Sequence, residues 1–596
     1  MAETFDDDAD GKAAAYTKSG YAYVERVSPK SNPDKLILSP MKVHFPSGSV
    51  SAILGPSGSG KTTMLNVITD STQSNVLANA DVQLPGLSAF VPQDDRLHGF
   101  FTCRSYLMHY ARLTGIQDDP KIHEKIDTLL KQLGLFDQAD TIVGDLFLKG
   151  LSGGQKRRLS VALEALTEPQ NLFLDEPTSG LDAESAFQVM NFLKDYARAS
   201  AGRRVILTIH QPSSFIWGLI DQVILLSKGK LMYDGPRVAM EGFFQSAGYP
   251  TPEGWNPADH YVTVVNDEFR NHDLKVDEWA DEFQKYVVSD TFMQSVTPRS
   301  KSMRMHDTKD AIESSRNPRF SVVFELTYRY FLNLAFNPGI LGTRVAMYSM
   351  LALMVGALFW DLGERDDFES VQARIAILFY CVAFFIFMSI AVMPFTVLER
   401  GIVDKEVLNK YYNPAYYQIA QSVASIPGAG ILAGLTTLLV ITMTKMNEPG
   451  WYFLTMFLSL VVAEAMAQLV SHVVPPFVIG MALMAGLNGF FMLFMGFMLV
   501  PSEFPNWLSW VYYTGLHTYA WRTFMNSEFG SNQTFTGSEA FATGYDVLVF
   551  YEIEDVNRGN DMVVLLGYFL VVNICAMGAL YLRYHLFDGK IEKPTA

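Results

Sequence analysis

The segment Gly55-Pro56-Ser57-Gly58-Ser59-Gly60-Lys61-Thr62-Thr63 interleaves glycines with small hydroxyl residues and ends on a lysine and two threonines. Glycines let main-chain N–H groups wrap an anion closely, and a helix N-terminus adds positive potential. At this spacing Lys61 reaches β- and γ-phosphates and the Thr62 hydroxyl holds Mg²⁺. The chemistry is the binding of a nucleoside triphosphate, ATP, with its metal. Further along, Asn171-Leu172-Phe173-Leu174-Asp175-Glu176 ends an apolar run in two acids. Asp175 is placed to orient Mg²⁺ and its water, and Glu176 to accept a proton from an attacking water. Read alone, these acids are equally a solvated strand end; downstream of a phosphate cradle, hydrolysis is the better reading. A third segment, Leu151-Ser152-Gly153-Gly154-Gln155, opens a helix and presents a second set of anion donors. One chain already has a cradle, so this second set is read as meeting the γ-phosphate of a nucleotide held by another copy.

These groups need strands and helices to hold them. Ser49–Leu54 reads as a buried strand running into the glycine loop, and Met64–Ile68 as the helix that follows. That is an α/β arrangement, expected over residues 20–265 as a nucleotide-binding domain. The chain has 596 residues and a formal charge of −16, which disfavours a nucleic-acid partner. Three cysteines exclude a disulfide scaffold. Charged residues make up 22% of residues 1–338 and 12% of residues 339–596, so a soluble part precedes a membrane part.

About 20 apolar residues cross a bilayer as a helix. Six such helices are expected, at about 340–360, 375–398, 416–444, 451–474, 476–500 and 562–582, with Pro475-Pro476 dividing the fourth from the fifth. The expected fold is therefore an α/β P-loop ATPase domain followed by an all-α six-helix transmembrane domain with a small extracellular loop subdomain. Residues 1–19 are acidic, are expected to be disordered and lack the apolar core of a signal peptide. The ATPase domain and both termini are therefore placed in the cytosol. The 501–561 connection carries Arg522 and Arg558 against acids that include Glu528, Glu539, Asp546, Glu552, Glu554 and Asp555, and is placed outside. Arg365 and Arg374 in the first outer loop argue weakly the other way. Asn532-Gln533-Thr534 is a glycosylation acceptor pattern. Trp507, Trp510, Tyr512, Tyr513, Tyr519 and Trp521 suit a membrane interface or the packing of a small outer domain.

Residues 266–316 read as a linker. Over 317–336, Phe320, Phe324, Tyr328 and Phe331 recur at helical spacing with Arg319, Glu325 and Arg329 interleaved, which predicts an amphipathic helix at the membrane surface or a surface helix of the ATPase domain. The loop Glu399–Asn413 is expected to press on the ATPase domain. Glu464, Gln468 and His472 share one face of the fourth helix. A bare charge at the bilayer centre costs about 2.5–3.5 kcal/mol or more, so this face pairs helices or lines a path for substrate or protons.

Taken together, Gly55–Thr62, Gln93 within Val91-Pro92-Gln93-Asp94-Asp95, Leu151–Gln155, Asp175-Glu176, Ser179-Gly180-Leu181-Asp182 and His210 within Thr208-Ile209-His210-Gln211-Pro212 resemble the ATPase of an ABC transporter. The ATPase-first order resembles subfamily G, the white–brown complex half-transporters, which include multidrug-resistance and sterol pumps. Asn256-Pro257-Ala258-Asp259 and Glu503–Phe529 fit that family, and the resemblance spans about residues 20–590. It implies that Gln93 links Mg²⁺ to the membrane interface and that His210 contacts the γ-phosphate. It also implies that Asp182 couples two sites, and that Ser152, Gly153, Gly154 and Gln155 close on the partner's nucleotide. A closed ATP sandwich needs two chains, so a second half-transporter is the expected partner, with a homodimer simplest and a heterodimer open.

The resemblance also implies a substrate cavity at Phe387, Phe490 and Leu493, with Met498 and Leu499 as a plug. Aromatic and methionine walls suit flat, greasy molecules. Three departures stand out. The signature begins with Leu151 and ends with Gln155 where the subfamily usually has Val and Glu. Only 32 residues separate Lys61 from Gln93, which predicts a trimmed β-hairpin. The 501–561 connection has no cysteine, so its stability must come from packing. The expected activity is ATP-driven export of hydrophobic or amphipathic molecules or lipids across a plasma membrane or endomembrane. A narrow lipid floppase, an ATP-gated channel and a regulatory subunit are the rival readings.

Overall fold

The apolar run Ser49–Leu54 is buried at every residue because it becomes an inner strand with parallel neighbours on both sides. In the computed structural model, which describes residues 20–71, 76–116, 120–145, 148–200, 202–266, 319–474, 476–530, 533–536 and 540–584, the strands form two sheets. Strands β1 (Gly20–Pro29), β2 (Met41–Phe45) and β4 (Val76–Gln83) make a three-stranded sheet in the order β2-β1-β4. Strands β3 (Ser49–Leu54), β5 (Ser88–Val91), β6 (Asn171–Leu174), β7 (Arg204–Thr208), β8 (Gln222–Ser227) and β9 (Lys230–Pro236) make a six-stranded sheet in the order β5-β6-β7-β3-β8-β9. All its pairings are parallel except β8 with β9. The short interval between Lys61 and Gln93 holds β4, which pairs with β1, and β5, which joins β6; no two strands within it pair as a hairpin among the described residues.

Helices α1 (Lys61–Ile68), α2 (Cys103–Leu113), α3 (Gly153–Leu166) and α4 (Ala183–Arg198) accompany these strands. The described residues divide into two compact units, and the first comprises those up to Asn266 together with Lys405–Tyr411 and Tyr584. Leu408 packs on an apolar core of this unit that includes Phe90 and Phe173.

The second unit, Arg319–Asp404 and Tyr412–Arg583, is helical. It contains α5 (Arg319–Phe336), α6 (Thr343–Leu358), α7 (Phe368–Tyr380), α8 (Met393–Leu408, which runs on into the first unit), α9 (Pro414–Thr444), α10 (Pro449–Val473), α11 (Phe477–Leu493), α12 (Leu516–Phe529) and α13 (Arg558–Leu582). Five stretches are long and apolar enough to cross a membrane: Pro338–Glu364, Phe368–Leu408, Pro414–Thr444, Pro449–Val473 and Arg558–Leu582. The helix expected over 476–500 is found as Phe477–Leu493, too short for that class. It stops before Gly496, whose φ of 98° is left-handed and where a Cβ would stand 3.1 Å from the Tyr512 ring. The helix expected over 375–398 lies inside the longer stretch, which changes pitch at a π turn, Cys381–Phe385, and a 3₁₀ turn, Met388–Val392.

Polar side chains in this unit find partners at long range. Glu464, Gln468 and His472 meet two neighbouring helices. Glu464 pairs with Arg344 of α6, both fully buried, while Gln468 accepts from Gln418 Nε2 at 2.9 Å and His472 Nε2 lies 2.7 Å from Gln418 Oε1. These contacts join α6 to α10 and α9 to α10, as helix pairing requires. Arg374 pairs with Glu528 and also donates to the carbonyls of Leu362, Gly363 and Arg365 at 3.1, 3.0 and 2.8 Å. Arg522 pairs with Asp561. In place of disulfides, these ties and the buried helix α12 anchor the 501–561 connection. Within that connection Tyr512, Tyr519 and Trp521 are buried, the last two on α12, while Trp507, Trp510 and Tyr513 are exposed.

Helix α5 is inverted relative to a helix on a soluble surface. Phe320 and Phe324 are 89% and 71% exposed, whereas Glu325 is 8% and Arg329 0% exposed. An outward aromatic stripe needs a non-aqueous neighbour, which suits the membrane-surface expectation rather than a water-facing ATPase surface. The expected linker, apart from Asn266, and Asn532 lie outside the described residues.

Removing one partner of a buried ion pair leaves an uncompensated charge and costs about 3–5 kcal/mol, whereas replacing both can be near neutral. Arg344→Met is therefore expected to lower the thermal unfolding temperature of the purified protein sharply. Adding Glu464→Leu should recover most of the loss. A double variant no more stable than the single one would show that Arg344 does not stabilise the unit through Glu464.

Candidate nucleotide site

Strand β3 delivers the chain to Gly55 at the carboxyl end of the sheet, where ligands of such folds bind. Gly55 has φ 150° and Gly60 has φ 100°. A Cβ at Gly55 would stand 2.2 Å from the Leu226 carbonyl oxygen, and one at Gly60 would stand 2.6 Å from Leu38 Cδ2. Glycine is therefore required at both ends of the turn, and the turn opens directly into α1. Ser57 and Gly58 project outward, while Ser59 is buried. Lys61 folds back over the loop, its Nζ donating to the carbonyls of Gly55 and Pro56 at 2.9 Å each. Burial holds the Lys61 pKa below the ordinary lysine value, and the Glu176 and Asp175 carboxylates pull the other way.

Thr62 and the two acids converge. Thr62 Oγ1 donates to Asp175 Oδ1 at 3.3 Å, and Thr208 Oγ1 donates to the same oxygen at 2.5 Å. Glu176 takes a left-handed φ of 48°, uncommon for a residue with a side chain, and its N–H donates to Thr208 Oγ1 at 2.9 Å. Gln93 Nε2 donates to Glu176 Oε2 at 3.0 Å. Lys61, Thr62, Asp175, Glu176 and Gln93 thus form one constellation, and His210 stands exposed just beyond the end of β7. The Thr62 hydroxyl, the Asp175 carboxylate and the Gln93 amide are hard oxygen donors of the kind Mg²⁺ prefers.

The second anion motif is built differently. Ser152 caps α3: its Oγ accepts from Gln155 N at 3.3 Å, and its own N–H donates to Gln155 Oε1 at 2.9 Å. Gln155 therefore spends its side chain on the cap. Ser152 and Gly153 are exposed, and Gly154 lies beside Leu181. Asp182 caps α4, accepting from Ser185 N at 2.9 Å and Ser185 Oγ at 2.8 Å, and these bonds hold its pKa below the ordinary carboxylate value. Among the described hydrogen bonds, none joins Ser152–Gln155 to the Gly55–Thr63 turn.

Two residues of the site escaped sequence reasoning. Thr208 is one. Arg157, buried on α3, is the other: it donates to the carbonyls of Pro92, Gln93 and Asp175 and pairs with Asp95 at 3.0 Å. One guanidinium thereby ties the Gln93 segment to the end of β6. Its position one turn into the Ser152 helix was the available signal. The fan of donors it presents there is formed by the tertiary structure.

Models of known families match three stretches: an ABC transporter model at residues 38–179, and two ABC-2 type transporter models at 321–529 and 210–332. The chain is 30% identical over 590 residues to "ABC transporter G family member 1" of Petunia hybrida, covering 94% of this chain and 90% of that one. It is 32% identical to "ABC transporter G family member 11" of Arabidopsis thaliana, covering 79% and 72%. It is 30% identical to "Broad substrate specificity ATP-binding cassette transporter ABCG2" of Sus scrofa, covering 84% and 82%.

General-base removal typically costs about 10²–10⁴-fold in rate. Glu176→Gln is expected to lower ATP turnover by that order while retaining ATP binding, measured by phosphate release and by binding of a fluorescent ATP analogue. Lys61→Ala should lose binding as well. Turnover by Glu176→Gln at the parent rate would remove Glu176 from the base role.

Proposed function

The chain belongs to the G family of ABC transporters, and on that premise we propose that this ATP-hydrolysing, multi-pass membrane protein exports hydrophobic or amphipathic small molecules or lipids as a dimer of half-transporters. The observation that carries the reading is the division of labour in the nucleotide site. Lys61, Thr62, Asp175, Glu176 and Gln93 converge on one turn, while Ser152 and Gly153 stand exposed at a separate helix start. A second copy supplies that missing half. Both halves are intact in this chain, which favours a homodimer.

Within each site, the Gly55–Thr63 turn and Lys61 bind the phosphates of ATP. Thr62, Asp175 and Gln93 are the residues that hold Mg²⁺, which when bound neutralises charge on the phosphates. Glu176 orients the attacking water and takes its proton, and the hydrogen bond from Gln93 sets the direction of its carboxylate. Exposed His210 contacts the γ-phosphate, and Asp182 couples the two sites. Closure of the two ATPase domains on ATP turns the cavity outward, and hydrolysis resets it.

The cavity is proposed at Phe387, Phe490 and Leu493, below Met498 and Leu499. These five side chains are 41–56% exposed in the single chain, as a cavity wall or a dimer face would be. Their apolar and aromatic surface selects by area rather than by directed bonds, which suits varied substrates. The similarity to a relative whose name carries broad substrate specificity supports the same class. The ATPase unit and both termini are assigned to the cytosol, and the 501–561 connection with Asn532 to the far side.

The test is the purified protein in inverted lipid vesicles, given a fluorescent rhodamine dye or a fluorescent phosphatidylcholine. ATP turnover is expected to rise with one of them, and that probe to accumulate inside or change leaflet. Dye uptake supports broad export; lipid movement alone supports the narrow floppase. ATP-dependent ion conductance without movement of either probe would overturn the exporter reading.

A further inference from the structure

Helix α11 buries one narrow stripe of its surface, Gly480, Met484 and Asn488, spaced four residues apart. The amino end of the stripe is closely packed: a Cβ at Gly480 would stand 2.6 Å from Met393 Cε and 3.9 Å from Val470 Cγ1. The carboxyl end presents an amide instead. Asn488 is buried, and neither its Oδ1 nor its Nδ2 meets a hydrogen-bond partner among the described residues. Phe491 lies one turn further along, and its ring centroid stands 6.1 Å from that of His517 on α12. A Cβ at Gly515, just before α12, would stand 3.3 Å from the same Phe491 ring. The Asn488 end of α11 is therefore set against the start of α12.

The start of α12 carries polar groups in the same condition. His517 is buried, and both its ring nitrogens lack a hydrogen-bond partner among the described residues. Trp521, four residues on and so on the same face, is buried with its indole N–H likewise unpartnered. Its ring meets Phe497, in the segment after α11, edge-on at 5.5 Å. Buried polar groups almost always find partners, and an unmet one carries its full desolvation cost. The indole offers a donor, the neutral imidazole a donor and an acceptor, and the carboxamide both. Burial alone pushes the His517 imidazole down to about 3, with no charged neighbour contributing. The ring is therefore neutral, and a charged ligand would meet no opposite charge there. What suits these groups is a small neutral molecule that both donates and accepts. Water does so when about two to four polar partners surround it.

We propose that Asn488, His517 and Trp521 line a buried water site between α11 and α12. In it, water accepts from the Trp521 indole N–H and bridges the Asn488 carboxamide to the His517 imidazole. The site backs the wall proposed for the substrate cavity, since Phe490 and Leu493 project from the exposed face of the same helix. It depends on the packing of α11 against α12 and is independent of what the protein transports.

The test is X-ray radiolytic labelling of the full-length protein in lipid nanodiscs, read by mass spectrometry. Radiolysis splits bound water into hydroxyl radicals, which oxidise the side chains that touch it. Trp521 is 0% exposed and Trp217, in the ATPase unit, is 6% exposed, so bulk water alone would label Trp217 faster. Water at the proposed site reverses that order. Trp521 is expected to be oxidised faster than Trp217, and the double variant Asn488→Leu with His517→Phe to bring Trp521 below Trp217. Slower labelling of Trp521 than of Trp217 in the parent, or equal labelling of Trp521 in parent and double variant, would overturn the proposal.

Thermal unfolding gives a second readout whose sign differs between the alternatives. With water bridging Asn488 and His517, each single apolar replacement breaks the bridge and lowers the unfolding temperature. The double variant then loses less than the two single losses combined, because both act on one bridge. With the two groups bare, each replacement removes an unmet polar group and raises the unfolding temperature, a result that would overturn the proposal. Where a variant does not fold, the order of Trp521 and Trp217 in the parent decides.

Discussion

Asp175 accepts hydrogen bonds from Thr62 and Thr208, and through this one carboxylate the ends of three neighbouring strands are tied. Thr62 follows β3 and its turn, Asp175 ends β6, and Thr208 ends β7. The parallel sheet brings these ends to one edge because each strand is a continuous apolar run that can be buried on both faces. Once they are tied, Glu176 has its main chain held by Thr208 and its side chain by Gln93. Arg157 closes the arrangement from a different helix by occupying carbonyls of Pro92, Gln93 and Asp175. The site is a set of polar groups held at fixed distances by an apolar sheet, which is what hydrolysis of a bound triphosphate needs.

The helical unit obeys the same constraint in a harsher solvent. Where water is absent, every charged or amide side chain must meet a partner inside the protein. Arg344 with Glu464, and Gln418 with Gln468 and His472, meet it by joining helices far apart in sequence. Arg374 with Glu528, and Arg522 with Asp561, do so for the long connection that has no cysteine. These pairs are weak evidence for stability as such; their geometry specifies which helices adjoin. The inverted helix α5 is the complementary case, with its charges turned inward and its phenylalanines left outward.

Legibility differed by kind of signal. The phosphate turn, the two acids and the helix cap at Ser152 were readable because each function sits within a few consecutive residues. Helix positions in the apolar half were readable from uncharged runs, but their ends were not. The expected 476–500 helix stops at Leu493 with neither a proline nor a charge at its end, and a left-handed Gly496 follows two residues past its cap. Glu464, Gln468 and His472 share a helix face by periodicity, yet Glu464 meets Arg344 of α6 while Gln468 and His472 share Gln418 of α9. Periodicity says which way a side chain points along its own helix and is silent about what stands opposite.

By itself, then, the order of residues determined the nucleotide chemistry, the division into an α/β part and an apolar helical part, and the family, since all three are carried by local motifs and by composition. Only the tertiary structure decided that Arg157 and Thr208 complete the site, and that Arg344 compensates Glu464. The physical reason is reach. A motif acts over a few peptide units, whereas a buried charge or amide is satisfied by whichever group the packing of distant elements brings within about 3 Å.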